Sequence, residues 1–483
     1  MISYFILASL AAIFLVSLPR SNLIMNVITQ LHTLIIALLA GYLLYTDTAT
    51  AYLWDSNLFI DSLSAYMIFI SGIIFWLATV FAKGYNESLI NTGELNPKNV
   101  RFFYIAFNGL LLSLILAFSS NNLALLWIFA ELTTILSALL IVVLNAKENI
   151  IAAMKYIFIT SIAMVFSFIG MILLFSLTKY GYGEATLRWD LLMQYAEDFP
   201  PELFIVSFVL LFIGFAAKSG LVPFHIWLPA AHSKAPSNVS AILSSSVISV
   251  GIYAIIRLFS LTRPNPETHD FASALLIAFG IITIGIAAFS MVTRTNLKKL
   301  IAFSSVEGMG LLVLAIGLGT ETALFWALFL LGAHGLVKAL MFLSAGIIHW
   351  QYHSDRADSI HSLFLLQPLA AVGLIMGGLA IIGTPFLPFF VPKIMILSQL
   401  GLRSIPLLFL VVLLFAIVAS AFVIFLLRII SPGDDLPAKR KIPFSMRLPV
   451  VILFVIVLLL GLFFPDKISE IMQHMLEQLG WSM

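Results

Sequence analysis

Apolar runs of about 20 residues, each long enough to cross the hydrocarbon of a bilayer as a helix, recur from one end of this 483-residue chain to the other. No polar stretch between them is long enough to fold as a soluble domain. Lipid offers no partner to backbone N–H and C=O groups, so such segments must close their hydrogen bonds internally as helices. An all-α polytopic membrane protein is expected, with a single membrane domain over 1–483. Composition agrees, with 61% of residues hydrophobic and 10% charged, against roughly 25% charged in an ordinary soluble domain.

Polar breaks place spans near 2–18, 23–45, 58–82, 101–119, 121–145, 150–178, 203–230, 238–260, 271–292, 297–319, 321–349, 362–400, 404–430 and 448–465, which makes about fourteen transmembrane helices. The first run has no basic stretch before it and no small-residue cleavage site, so it reads as a retained span rather than a signal peptide. The polar segment 466–483 reads as an exposed tail. An even count puts both termini on one side. With the end of span one taken as cytoplasmic, sixteen of the 25 lysines and arginines, beginning at Arg20, fall on that face and six on the other. The positive-inside rule then puts both termini on the outer side of a cytoplasmic (inner) membrane.

Spans seven (GFAAKSGLVPFHIWLP) and twelve (IIGTPFLPFFVPK) carry prolines in mid-membrane, Pro223 and Pro229 in one, Pro385, Pro388 and Pro392 in the other. Each proline removes a backbone donor and leaves carbonyls unpaired, which survive only against protein or water, so both spans are expected to be broken helices. The broken helix is fourth among spans 4–8 and fourth again among spans 9–13. An odd unit repeated in tandem inserts with opposite orientation, so 101–260 and 271–430 are expected to be two inverted five-helix repeats around a midplane transport site.

Three lysines, Lys218, Lys338 and Lys393, lie inside these apolar stretches, Lys218 just before one break and Lys393 just after the other. A charge at the bilayer centre costs roughly 2.5 to 3.5 kcal/mol on insertion scales, which makes each a functional-site candidate in need of a partner. Glu131, in LLWIFAELTTILSALL, is the acid most central in a span. Facing Lys218 it would hold that ammonium charged, and withdrawing it would favour release of the proton; the same two residues could instead be a static pair fixing helix register. His334 and Lys338 are four apart and share a helix face, and Lys393 follows in the next span, so a proton relay along the membrane plane is expected. His225 and His232 flank the break in span seven; they either lie on the cytoplasmic uptake side or satisfy carbonyls freed by Pro223 and Pro229. His32 reads as a packing histidine, and Glu307, without an evident partner in span ten, as a secondary relay candidate.

The sequence suggests no cofactor or metal. The absence of cysteine excludes disulfides, thiolate zinc sites and cysteine-ligated iron–sulfur clusters within the chain. His225, His334 and His349 lack a spacing that predicts an axial haem pair, and there is no glycine-rich phosphate loop. Neither nucleic acid nor ATP is an expected partner; electron transfer, if any, belongs to other subunits.

The motifs AELTTILSALL around Glu131, KSGLVPFHIWLPAAHSKAPSNVSAILSS from Lys218, NLKKLIAFSSVEGMG near Lys298 and HGLVKALMFLSAG around Lys338 resemble those of the antiporter-like proton-translocating subunits. That family is shared by respiratory complex I, group 4 membrane-bound hydrogenases and multisubunit cation/proton antiporters. VSAILSSSVISVGIYAIIR and the short C-terminus, without the long lateral helix of the distal complex I subunit, look most like the F component of hydrogenase-4 and related formate hydrogenlyase components. The resemblance implies that Glu131 and Lys218 are a coupling pair, Lys338 with His334 the central relay, and Lys393 the carrier nearest the outlet. It implies a subunit working with other membrane subunits and a peripheral redox module, itself without a redox active site. Three positions depart from the family pattern: Ser249 where complex I subunits usually have lysine, Gly308 where relatives often have histidine, and Ala230 where many have aspartate. A redox-independent sodium/proton antiporter subunit, or a structural anchor with a vestigial channel, are the alternatives the resemblance leaves open.

Overall fold

The structure, a computed structural model, describes residues 1–18, 21–46, 51–144, 146–433 and 436–481. Arg20, Asn145 at the expected end of the fifth span, and Ser482 and Met483 in the expected tail lie outside the described residues. Helices α1 (Ile2–Ser17) and α2 (Asn22–Thr46) precede an antiparallel hairpin of β1 (Ala51–Leu53) and β2 (Leu58–Ile60). The third span, expected from 58, therefore starts only at α3 (Ser62–Asn91), where the Asp61 carboxylate caps the helix by accepting from the Ser64 N–H. The apolar strand Leu58–Ile60 runs straight into that helix, and hydrophobicity alone cannot separate the two.

The next set of helices is α4 (Val100–Phe118), α5 (Leu123–Val142), α6 (Lys147–Tyr182), a short connecting α7 (Trp189–Tyr195), α8 (Pro201–Lys218) with α9 (Trp227–Lys234), and α10 (Ser237–Ile242) joined to α11 (Ser249–Thr262) through a π-helical turn at Leu243–Val247. The last set is α12 (Pro266–Val292), α13 (Leu297–Gly317), α14 (Glu321–Tyr352), a single turn α15 (Leu363–Leu366), α16 (Pro368–Ile382) with α17 (Phe390–Arg403), α18 (Ile405–Ile430), α19 (Phe444–Leu462) and α20 (Asp466–Gln478). Among the described residues, 12 helical stretches are long and apolar enough to cross a membrane, and α1 and α16 are shorter apolar helices. The expected fourteen is reached only by adding those two, with α16 and α17 taken as one span.

Both expected breaks are present, and protein groups satisfy the backbone at each. After α8 the chain turns at Gly220 (φ +71°) and resumes at α9, and the Ala217 carbonyl accepts both the Gly220 N–H (3.1 Å) and the Trp227 indole N–H (2.9 Å). Between α16 and α17 the turn is made at Gly383 (φ +88°) and Phe386 (φ +68°), and the Ile381 carbonyl is taken by the Lys393 ammonium (2.7 Å). Irregular backbone at this depth is tolerated because protein, not lipid, faces it. The helices that carry most of the buried charge are also the most enclosed. The apolar centres of Ser237–Thr262, Leu297–Gly317 and Glu321–Tyr352 are 100% surrounded by protein, against 28% for α18 and α19, whose remaining faces are open to lipid.

One end of the bundle is fastened by Arg257 of α11. Its Nη2 donates to Asp61 Oδ2 (2.6 Å) and to Tyr253 Oη (2.9 Å), and the guanidinium packs over Phe59, Trp189 and Tyr253 at 4.9, 4.6 and 5.0 Å. Strand, capped helix and connecting α7 thus share a single cation. The tail expected to be exposed is docked at the same end. Ile468, Ile471, Met472, Met475, Leu476 and Leu479 recur at helical spacing and pack inward, Ser62 N–H donates to Gln478 Oε1 (2.8 Å), and the Trp481 indole donates to Ser260 Oγ (3.1 Å).

Removing one partner of a buried ion pair leaves an uncompensated charge, so Arg257→Ala is expected to destabilise the solubilised protein by about 3 to 5 kcal/mol. The double substitution Arg257→Met with Asp61→Asn is expected to restore most of that, as read by thermal unfolding in detergent.

Candidate functional site

Lys218 ends α8 with its side chain fully buried. Its ammonium donates to the Ala130 carbonyl (2.8 Å) and to Thr134 Oγ1 (2.6 Å), both on α5, and lies 6.0 Å from the Tyr156 ring centre. Thr133 and Thr134 also turn their hydroxyls onto the Ala130 carbonyl, at 2.7 and 3.4 Å, so ammonium and hydroxyls form one cradle on a single turn. The direct Glu131–Lys218 ion pair expected from the sequence is not made. Glu131 follows Ala130 on the same turn but points toward α6, where Ser161 Oγ donates to its Oε2 (3.0 Å); Oε1 is buried without a hydrogen bond. Glu131 stands three residues before Thr134, on an adjoining line of the helix face, and its carboxylate turns to Ser161 rather than to Lys218.

The same cradle recurs on α13. Ser304 and Ser305 donate to the Ile301 carbonyl at 2.8 and 3.1 Å, and the Lys338 ammonium of α14 donates to that carbonyl (3.3 Å) and to Ser304 Oγ. Three residues after Ser304 stands Glu307, for which the sequence offered no evident partner. It has one: Lys393 Nζ donates to Glu307 Oε1 (3.1 Å), to the Ile381 carbonyl (2.7 Å), and sits 3.9 Å from the centre of the Phe415 ring. Glu307 Oε2 makes no hydrogen bond. His334, one turn from Lys338 on α14, is buried with no well-formed hydrogen bond at either ring nitrogen. Its ring fills the space beside Gly308: a Cβ there would lie 2.6 Å from His334 Nδ1.

Hydroxyl groups continue from Lys338 toward the eighth span. Ser305 Oγ shares a hydrogen bond with Ser244 Oγ (2.7 Å), which stands in the π-helical turn beside Ser245 and Ser246. Such turns widen a helix and are frequent at functional sites. Ser249, where the resemblance leads one to look for lysine, turns its hydroxyl back onto the Ser245 carbonyl. His232 is fully buried, stacks on Phe342 (4.8 Å between ring centres) and bonds through neither nitrogen, so it does not satisfy the freed carbonyls of the break. His225 is half-buried and packs 6.3 Å from Phe303. His32 is held by Ser9 Oγ (2.9 Å) and Asn108 Oδ1 (2.7 Å), away from the lysines, as a packing histidine would be.

Sequence reasoning missed the two hydroxyl pairs, Thr133–Thr134 and Ser304–Ser305, although both stand inside quoted motifs; two adjacent hydroxyl residues in an apolar helix were the available signal. It also missed a cluster where α14 ends. Asp355 bonds Lys298 (3.4 Å) and His349 (3.2 Å), and His349 reaches Glu94 (3.3 Å). Burial pushes the Asp355 carboxyl up, but the Lys298 ammonium and His349 outweigh it and hold it at about 2. The His349 hydrogen bond likewise holds Glu94 below its ordinary value. Among the described residues no three His, Asp or Glu side chains come together in a way that could hold a metal ion.

Residues 120–420 match the family described as NADH:quinone oxidoreductase/Mrp antiporter, TM. The chain is 30% identical over 417 residues to a hydrogenase-4 component F homolog of Methylacidiphilum infernorum (isolate V4), covering 86% of this chain and 87% of that one. Its fold is similar to a chain of the membrane-bound sulfane sulfur reductase, an archaeal respiratory membrane complex, with a TM-score of 0.87, 22% identity and 99% and 97% of the two chains covered. It is also similar to a chain of the Mrp complex from Dietzia sp. DQ12-45-1b, with a TM-score of 0.84, 19% identity and 98% and 95% covered.

Thr134→Val keeps the shape and removes only the hydroxyl under the Lys218 ammonium. A double-mutant cycle with Lys218→Met is expected to show coupling of about 1 to 3 kcal/mol in unfolding free energy, the usual range for a hydrogen bond to a charged group. Asp355 is a carboxylate whose folded value is depressed, so its stabilisation is present above its ordinary 3.8 and is lost as pH falls toward about 2. Asp355→Asn is expected to flatten the fall in melting temperature across that window.

Proposed function

The chain belongs to the NADH:quinone oxidoreductase/Mrp antiporter transmembrane family, and from that membership we propose that it moves protons as the antiporter-like subunit of a multisubunit redox complex of the hydrogenase-4, formate hydrogenlyase or complex I type. Other membrane subunits and a peripheral redox module supply the electron transfer. The membrane is the cytoplasmic one, with both termini outside, as the distribution of basic residues suggests. Residues 101–260 and 271–430 act as two inverted repeats, each with its broken helix in fourth place.

The observation that carries this reading is the company kept by the buried ammonium groups. Lys218 and Lys338 rest on neutral oxygens, a main-chain carbonyl and a hydroxyl each, with no carboxylate in contact. A static pair that fixed helix register would be closed; the Glu131–Lys218 pair is open. An ammonium held by neutral oxygens gives up its proton with less rearrangement than one locked to an anion, and small shifts of a nearby charge decide the exchange. In the proposed cycle, partner electron transfer moves Glu131 relative to Lys218, the change passes to Lys338 and His334, and Lys393 delivers to the outlet. His232 and His225 lie on the uptake side, and Glu307 takes part beside Lys393. Water and the serines of the eighth span bridge the positions where Ser249, Gly308 and Ala230 depart from the family pattern.

The complex is purified through a tag on this chain, its subunits are identified, and it is reconstituted into vesicles. Lys218→Ala and Glu131→Ala are each expected to lower protons moved per electron at least tenfold, with subunit composition and electron transfer retained. Wild-type pumping in both variants would overturn the proposal, and sodium-dependent transport without redox partners would replace it with the antiporter reading.

A further inference from the structure

We propose that Glu307 is a two-position carboxylate that bonds Lys393 in the observed state and Lys338 in the alternate one, and so gates the second half of the path. The proposal deepens the proton-translocation reading and rests on it.

Four observations on separate side chains converge. Glu307 is fully buried, yet it uses only one oxygen; the other has no hydrogen bond. Buried polar atoms are rarely left so, and an idle carboxylate oxygen in an enclosed site calls for an explanation in function or in bound water. Lys338, the second ammonium, docks on Ser304 and Ile301 of the same helix, and residues three apart on a helix are neighbours on one face. A swing of one side chain along that face therefore exchanges one lysine for the other. Lys393 is equipped to be left: the Ile381 carbonyl and the face of the Phe415 ring remain for it when the carboxylate departs. Finally, the His334 ring, with no well-formed hydrogen bond at its nitrogens, lies against Gly308, the residue after Glu307, and one turn from Lys338. It stands where a proton could pause between the two lysines.

The step balances as a single proton transfer with a following anion. An N–H bond of the Lys338 ammonium breaks and one forms on the His334 imidazole; that proton then passes to the neutral amine of Lys393. Glu307 carries no proton and moves with the positive charge, from Lys338 to Lys393. Return of the carboxylate follows once Lys393 has released its proton toward the outlet. The first half holds the same pieces in the other arrangement. Glu131 on the second helix of its set is out of contact with Lys218 on the broken fourth, whereas Glu307 on the second helix of its set is bonded to Lys393 on the broken fourth.

The test reads the Glu307 carboxyl by infrared absorption in the purified complex, isolating its bands by subtracting the Glu307→Gln spectrum. If the carboxylate has two partners, Lys393→Gln leaves it ionised and Lys393→Gln with Lys338→Gln converts it to the protonated acid. Protonation in Lys393→Gln alone, or persistent ionisation in the double variant, would overturn the proposal; Lys393→Met stands in if the Gln variant does not assemble. Pumping is measured beside it. Glu307→Gln is expected to lower protons per electron at least tenfold, with partial recovery in Glu307→Asp. Full pumping in Glu307→Gln while Lys218→Ala fails would sink this inference alone. A complex that moves no protons at all would sink the functional reading, and the infrared result would still decide whether the carboxylate has two partners.

Discussion

An ammonium in hydrocarbon needs oxygen partners, and here main-chain carbonyls supply them, one of which, that of Ile381, is released from its helix at a break. All three membrane lysines end on a backbone oxygen: Lys218 on Ala130, Lys338 on Ile301, Lys393 on Ile381. Leaving either group unpaired would be expensive, since lipid supplies no hydrogen-bond partner and the ion would be poorly solvated. The consequence reaches beyond the lysines. A carbonyl that accepts from a side chain as well as from its own helix needs a donor-rich surrounding, which the paired hydroxyls on α5 and α13 provide. The centre of α13 is wholly enclosed by protein, and α5, 44% enclosed, turns its hydroxyl face inward.

Enclosure explains why so many ionisable groups can be left incompletely satisfied. Glu131, His232, Glu307 and His334 each retain at least one buried polar atom without a hydrogen bond among the described residues. Scattered in an ordinary core, such atoms would each subtract from stability. Glu307 and His334 sit on helices whose centres are wholly covered by protein, and with the fully buried His232 they make a polar interior that excludes lipid. Gly308 shows how tightly this interior is drawn, because the missing side chain there is the room the His334 ring occupies.

Much of the architecture was legible because lipid narrows the choices so severely. Apolar run length marked the spans, and Pro223 and Pro385 with Pro388 marked the breaks, because in a membrane a missing donor has few remedies. Span number was harder: Leu58–Ile60 is as apolar as the helix it precedes, and only the Asp61 cap separates them. The docking of α20 was readable in principle, since its apolar residues recur every three or four positions, but a segment in which seven of thirteen residues are Asp, Lys, Glu, Gln or His invites the opposite conclusion. Partner choice among the charges was not readable. Glu131 and Glu307 look alike in sequence, each an acid in an apolar span with a membrane lysine downstream, and nothing in the spacing told that one is bonded to its lysine and the other is not. That difference depends on which way a side chain points about its own helix, and a single residue of rotation reverses it.

The contrast between those two acids is itself informative about mechanism. If both pairs were structural, the same chemistry in two similarly built halves should settle into the same arrangement, and the energy of a contact ion pair would favour closure in both. Instead the first half commits the Glu131 carboxylate to a serine hydroxyl, a weaker partner, while Lys218 takes neutral oxygens that any amine could use. For such an arrangement to serve as the proposed switch, its open and closed forms must lie close in free energy, within reach of one moving charge. Under the proposed proton-moving role, two such elements, joined through the Ser305–Ser244 hydrogen bond, would let the position of each carboxylate bias the next.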